Sequence, residues 1–172
     1  MGSILGGLFN RQYTIGELMN IDASRQEKSK LCKVSFEKAY HELKKENLFD
    51  KFKSFFKGKS SINVYYLILK FSVISETGNK YKVFIKLNPD FSTNNWESNK
   101  VKIYCSCADF KYRSAYTLDG RGSLFKTTKI SAALGSAVNE APKKLGTTLL
   151  CKHSYAALVW LMNNYRSVMK SI

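Results

Sequence analysis

The chain has 172 residues and a mass of 19.6 kDa, with 28 Lys+Arg against 13 Asp+Glu, a formal net charge of +15 and a pI near 9.7. That length suits one domain with a sizeable core, and 44% apolar residues including 11 Phe, 10 Tyr and 2 Trp exclude a disordered polyelectrolyte. No apolar run approaches the about 18 residues of a membrane span, and the apolar start lacks the basic n-region of a signal peptide. Four cysteines in a lysine-rich chain with no export signal then point to a reducing compartment, where clustered cysteines bind metal more often than they pair.

In chain order, residues 1–12 read as an extended arm, with Gly2, Gly6 and Gly7 set between Ile4, Leu5, Leu8 and Phe9. Residues 13–58 read as a helical region. Thr14 with Glu17 and Ser24 with Glu27 both have capping-box spacing, so short helices are expected to start at each. From Phe36 to Phe56 the apolar residues fall near helical spacing, predicting one long helix or two broken near Asn47, with Cys32 in the core of this helical part and His41 at its surface. Gly58-Lys59-Ser60 is not a phosphate loop, because the required glycine five residues earlier is Lys53.

Residues 59–172 read as a small antiparallel sheet followed by a zinc-linked strand–helix module. Ile62–Ser75 is the clearest strand. A turn at Glu76–Asn79 leads to a second strand, Tyr81–Leu87, in which Val83 and Ile85 alternate with Lys82, Phe84 and Lys86. A polar loop containing Trp96 follows, then a third strand from Lys100 to Cys105. The last element is a helix, Ser154–Met169, with Leu158, Leu161, Tyr165 and Val168 on one face. The expected class is therefore α+β, with N-terminal helices, a small antiparallel sheet and the metal module at the C-terminus.

Three of the four cysteines and one of the two histidines fall in two tight pairs, Cys105-Ser-Cys107 and Cys151-Lys-His153. Residues two apart on a strand share a face, so Cys105 and Cys107 can grip one ion from a strand end. On a formed helix, residues two apart diverge by about 200°, so Cys151 and His153 converge only where the chain enters the final helix. A helix N-terminus also favours a thiolate. Four ligands of type Cys₃His with no spare position describe a closed structural zinc site. The alternative is that these cysteines are ordinary buried residues.

Cys-x-Cys followed at a distance by Cys-x-His, on a strand-then-helix framework, resembles the SWIM zinc finger. The flanks Cys105-Ser-Cys-Ala-Asp109-Phe110-Lys-Tyr112-Arg113 and Cys151-Lys-His153-Ser-Tyr-Ala-Ala-Leu158 resemble its variant in small proteins of tailed bacteriophages. The likeness covers about a third of the chain, Val101 to Val159, and the 43 residues between the pairs make a long gap for the family. The resemblance implies nucleic-acid and protein contacts and a place among virion and head–tail components.

Charge is uneven. Residues 1–50 carry eight basic and seven acidic groups, so nearly all the net charge lies beyond them. Such a surface attracts phosphates or an acidic partner; the same lysine richness also follows from an AT-rich genome. Between the metal pairs, Lys111, Arg113, Arg121, Lys126, Lys129, Lys143 and Lys144 form the candidate polyanion contact. Phe110, Tyr112, Tyr116 and Phe125 interleave with them, either stacking on bases or, the favoured reading, packing the insert onto the sheet. Asp109 is placed to accept a hydrogen bond from Arg113 or to support a ligand. No paired carboxylates, Ser/His/Asp set or cofactor loop stands out, and two histidines leave few acid–base options, so an enzyme is not expected. Two functions follow. One is a zinc-stabilised structural protein of a tailed-phage virion, made in the host cytoplasm and acting as a homo-oligomer among neighbouring virion proteins near DNA. The other is a cytoplasmic nucleic-acid-binding module.

Overall fold

The computed structural model describes residues 12–43, 65–139 and 148–170. Residues 1–11 of the arm, the stretch from 44 to 64 with Gly58-Lys59-Ser60, and Lys143 and Lys144 lie outside them.

Helix α1 (Ile15–Ile21) starts as its sequence dictates. Thr14 is extended, its hydroxyl accepts from the Glu17 N–H at 3.2 Å, and the Glu17 carboxylate accepts from the Thr14 N–H at 2.8 Å. Ser24 starts nothing. It lies inside a 3₁₀ turn, Ala23–Arg25, that runs from α1 straight into α2 (Gln26–Lys30), and no side chain caps α2. An N-cap needs extended backbone, and this continuous turn offers none.

The helix expected from Phe36 is overturned over the described residues. Lys33–Leu43 is a strand, β1, paired antiparallel with β2 (Tyr65–Ile74). The register shifts between Phe36 and Lys38, so Glu37 is the extra residue of a β-bulge. Cys32 accordingly sits in the turn before a strand rather than on a helix, half-buried against the core. His41 is exposed, as expected.

The other strands fall where alternation placed them. β3 (Lys80–Leu87) pairs with β2 and β4 (Val101–Cys105) with β3, giving an antiparallel sheet in the order β1-β2-β3-β4. The β2–β3 turn closes through Ser75 N–H to Asn79 O at 2.9 Å, with Gly78 at φ 82°, a conformation that costs an L side chain about 1–2 kcal/mol. The outer edge of β4 is covered by residues 123–125: Ile103 N–H donates to Ser123 O and Phe125 N–H to Ile103 O.

Period-2 alternation gives the sheet two unlike faces. One carries Phe71, Val73, Val83, Ile85, Ile103 and Cys105, all buried. Helix α5 (Lys152–Lys170) lies across it, with Leu158 and Leu161 fully buried and Tyr165 half-buried against Trp96. Trp160 sits between Phe36 and Phe71, at centroid distances of 6.0 and 5.7 Å. Each fully buried Leu or Phe here contributes about 1.5–3 kcal/mol. The opposite face carries Lys38, Lys70, Lys82, Lys86 and Lys102 with Tyr40 and Tyr66. Between the sheet and α5, the chain forms a π-helical turn (Phe110–Ser114), α3 (Ala115–Gly120) and α4 (Thr128–Leu134). No helix among the described residues is long and apolar enough to cross a membrane.

Candidate metal centre

Cys105 ends β4, and the chain turns at once into a helical segment that begins at Ala108. Cys107 therefore occupies a helix start. The Phe110 N–H donates to its Sγ at 3.3 Å, and its carbonyl accepts from Lys111 N–H at 3.1 Å. Cys151 repeats this arrangement at the start of α5. The Ser154 N–H donates to its Sγ at 3.4 Å, and its carbonyl accepts from Tyr155 N–H at 3.0 Å. Both sulfurs thus stand where a capping oxygen ordinarily stands, each facing a free N–H that favours the thiolate. His153 comes one residue into α5, before the helical rotation has carried it away from Cys151, whereas Lys152 turns outward to Glu76, 2.6 Å away.

The four side chains converge. The Sγ atoms of Cys105, Cys107 and Cys151 and a ring nitrogen of His153 all lie within 4.8 Å of one another. A tetrahedron with 2.3 Å metal–sulfur bonds has edges of about 3.8 Å, so the widest edge needs to close by only about 1 Å. None of the four is more than 5% exposed. His153 is the informative member, because both ring nitrogens are buried and neither has a hydrogen-bond partner. A buried orphan of this kind costs about 1–3 kcal/mol, and a metal ion at the centre of the cluster would satisfy one of the two nitrogens. The donor set fits a metal that accepts three thiolates and one imidazole.

The surroundings push the three thiols in different directions. Burial pushes Cys105 far up, with the neighbouring thiols of Cys107 and Cys151 acting the same way. The Cys105 thiol favours ionisation of Cys107, but Cys151 and burial together outweigh it and push Cys107 up to about 12. Burial also opposes ionisation of Cys151, yet the convergent groups of Cys105, Cys107, His153 and Ser154 bring it well below the ordinary thiol range. Burial and the neighbouring thiols thus oppose ionisation of Cys105 and Cys107, and a cation held among the sulfurs would relieve both.

Several residues with no local sequence signal support the ligands. The Asp22 carboxylate, 2% exposed at the end of α1, accepts from the backbone N–H groups of Leu149 and Leu150 at 2.7 and 2.6 Å. It fixes the two residues before Cys151 from 127 and 128 positions away. Tyr81 of β3 lies against the His153 ring at 4.2 Å. Asp109 accepts from Arg113 at 3.0 Å, as its spacing indicated, and also faces Arg25 at 3.8 Å, while Arg25 donates to Thr148. Its carboxylate thus braces the two chain segments that carry the ligands.

The insert's basic residues do not assemble in the same way. Arg113 is paired with Asp109 and Lys126 with Asp119, while Arg121 lies 5.5 Å from the Tyr13 ring and Lys111 5.4 Å from that of Tyr112. Lys129 is exposed in the first turn of α4. Of the interleaved aromatics, Phe110 and Phe125 are buried in the core, whereas Tyr112 and Tyr116 are exposed. Compared with known proteins, the chain matches no family model, no curated protein and no solved structure.

Proposed function

We propose that Cys105, Cys107, Cys151 and His153 hold one zinc ion in a SWIM-type finger, and that the protein is a non-enzymatic structural component of a tailed-phage virion. Its place is the head–tail neck or tail ring, where it acts as a homo-oligomer among neighbouring virion proteins with its basic surface towards DNA. The observation that carries this reading is the closed Cys₃His cluster, buried and fully supplied by protein ligands. Such a set leaves no open position for substrate or water, so the metal holds the fold together rather than performing chemistry. The SWIM-like flanks supply the phage and assembly part of the reading.

Native mass spectrometry of the purified protein in ammonium acetate tests it. One zinc per chain in a species larger than a monomer is the expected result, together with recovery of the protein from purified particles. A monodisperse monomer that is absent from particles overturns the virion assignment, and a metal-free chain overturns the finger.

A second reading, a SWIM-like nucleic-acid-binding module acting in replication or regulation, is favoured by one observation. Lysines and tyrosines share the sheet face opposite the metal centre.

A further inference from the structure

We infer that the outer face of the β1–β4 sheet is a binding platform for single-stranded nucleic acid, with Lys38, Lys82 and Lys102 on the phosphates and Tyr40 stacking on a base. The inference rests on the second reading above and moves its contact from the insert to the sheet.

The register brings these residues together. Tyr40, Ile68, Lys86 and Lys102 stand side by side across the four strands, and Lys38, Lys70, Phe84 and Tyr104 form the next row. Alternation turns all of them away from α5, the helix that packs across β1, β2 and β3 on the other face. At the β4 end the insert covers the face, with Phe125 stacked on Phe84 and Phe110 against the buried Tyr104, and Ile68 is buried in the middle; the accessible part is Lys38, Tyr40 and Lys82 with the half-buried Lys102.

The lysines are not evenly neutralised. Lys70 is paired with Glu37 at 2.5 Å and Lys86 with Glu42, and Lys86 also sits 4.0 Å over the Tyr66 ring. Lys38, Lys82 and Lys102 have no ion pair among the described residues. Lys102 is half-buried, and burial first, then the charges of Lys86 and Lys126, hold its pKa below the ordinary lysine range.

Tyr40, 37% exposed, supplies an accessible ring beside Lys38 at 5.6 Å. Exposed lysines beside an accessible ring suit unpaired bases, whereas a duplex presents only its backbone to such a surface. An acidic protein would match the charge and make no use of the ring.

Fluorescence anisotropy of the full chain with a labelled 20-nucleotide oligo-dT, a 20-base-pair duplex and heparin as competitor tests the platform. With three lysines on phosphates, the log–log salt slope is about −2, so affinity falls about twentyfold between 50 and 200 mM salt. Lys38→Glu combined with Lys82→Glu, both exposed, is expected to weaken oligo-dT binding at least about tenfold, and Tyr40→Ala at least about fivefold. Circular dichroism and metal content of each variant should match the parent, since none of these side chains faces the metal.

Binding that prefers the duplex, or heparin competing as well per charge as oligo-dT, overturns the platform. Loss of binding in Lys111→Glu with Lys129→Glu, but not in the sheet variants, overturns it while leaving the nucleic-acid reading standing. No binding by the parent protein at 50 mM salt overturns both.

Discussion

Replacing Asp22 by Ala should disable the metal centre without touching a ligand. The carboxylate is buried and its Oδ2 receives two backbone N–H groups, from Leu149 and Leu150, immediately before Cys151. Each hydrogen bond to such an acceptor is worth about 1.5–3 kcal/mol, and Ala leaves two buried donors unpaired, so the loss is about 3–6 kcal/mol. That is a large share of the about 5–15 kcal/mol that holds a domain folded. Metal affinity should fall about 10–100-fold, the usual cost of losing a ligand's support.

Asp22→Asn discriminates the cause. Burial raises the Asp22 pKa more than the Leu150 and Leu149 bonds and the Arg25 charge lower it. Asn keeps the oxygen, and its cost should be about 1 kcal/mol. A carboxyl raised in the folded state contributes its full stability below its unfolded pKa and loses it as pH rises through the folded value. The stability of the parent protein relative to Asp22→Asn should therefore grow as pH falls through the acidic range. Urea unfolding with chelator present, followed by zinc titration with a competing indicator, reads these quantities. An Ala variant within about 1 kcal/mol of the parent would refute the tether.

His153→Cys keeps a four-ligand set and should retain one metal per chain, whereas His153→Ala should lose it; elemental analysis separates them. Acidification should release the metal, because protons compete for three thiolates and one imidazole, and the release is readable as indicator absorbance against pH. Deleting Glu37 should leave the fold intact at a cost of about 1 kcal/mol or less, that of its surface ion pair with Lys70. The deletion converts the bulge into regular pairing with Phe36, Lys38, Ala39 and Tyr40 on their present faces, whereas in a helix it would turn every later residue by about 100°. Thermal unfolding of the deletion variant checks it.

The Glu37 bulge also explains why β1 reads as helix in the sequence. It inserts one residue between Phe36 and Ala39, so strict alternation is lost: Phe36 and Ala39, three apart, share a face, and Phe36, Tyr40 and Leu43 match helical spacing although Tyr40 lies on the opposite face of the strand. β2, β3 and β4 contain no such shift, and their alternation is legible residue by residue. The ligands are legible because each pair is local: two residues at a strand end and two at a helix start carry their geometry in their spacing. Asp22 is not legible, because nothing near it in sequence marks it as the partner of residues 149 and 150. The capping signal at Thr14 succeeded and the one at Ser24 failed for the same reason: a cap is set by the backbone preceding it, extended at Thr14 and already turning at Ser24.

The position of the metal centre accounts for the tolerance of a long insert. An ion held by the four side chains would join the end of β4 to the start of α5 across residues 108–150. Closing a loop of that length removes chain entropy worth about 4 kcal/mol from the unfolded state, whatever the loop's own structure. The helix is then held at its N-terminus by the ligands and farther along by Trp160 between Phe36 and Phe71. All of this lies on one face of the sheet. The opposite face is covered at its β3–β4 end, where Phe125 stacks on Phe84 and Phe110 meets Tyr104, whereas Lys38, Tyr40 and Lys82 are exposed and substitutions at those three leave the ligands untouched.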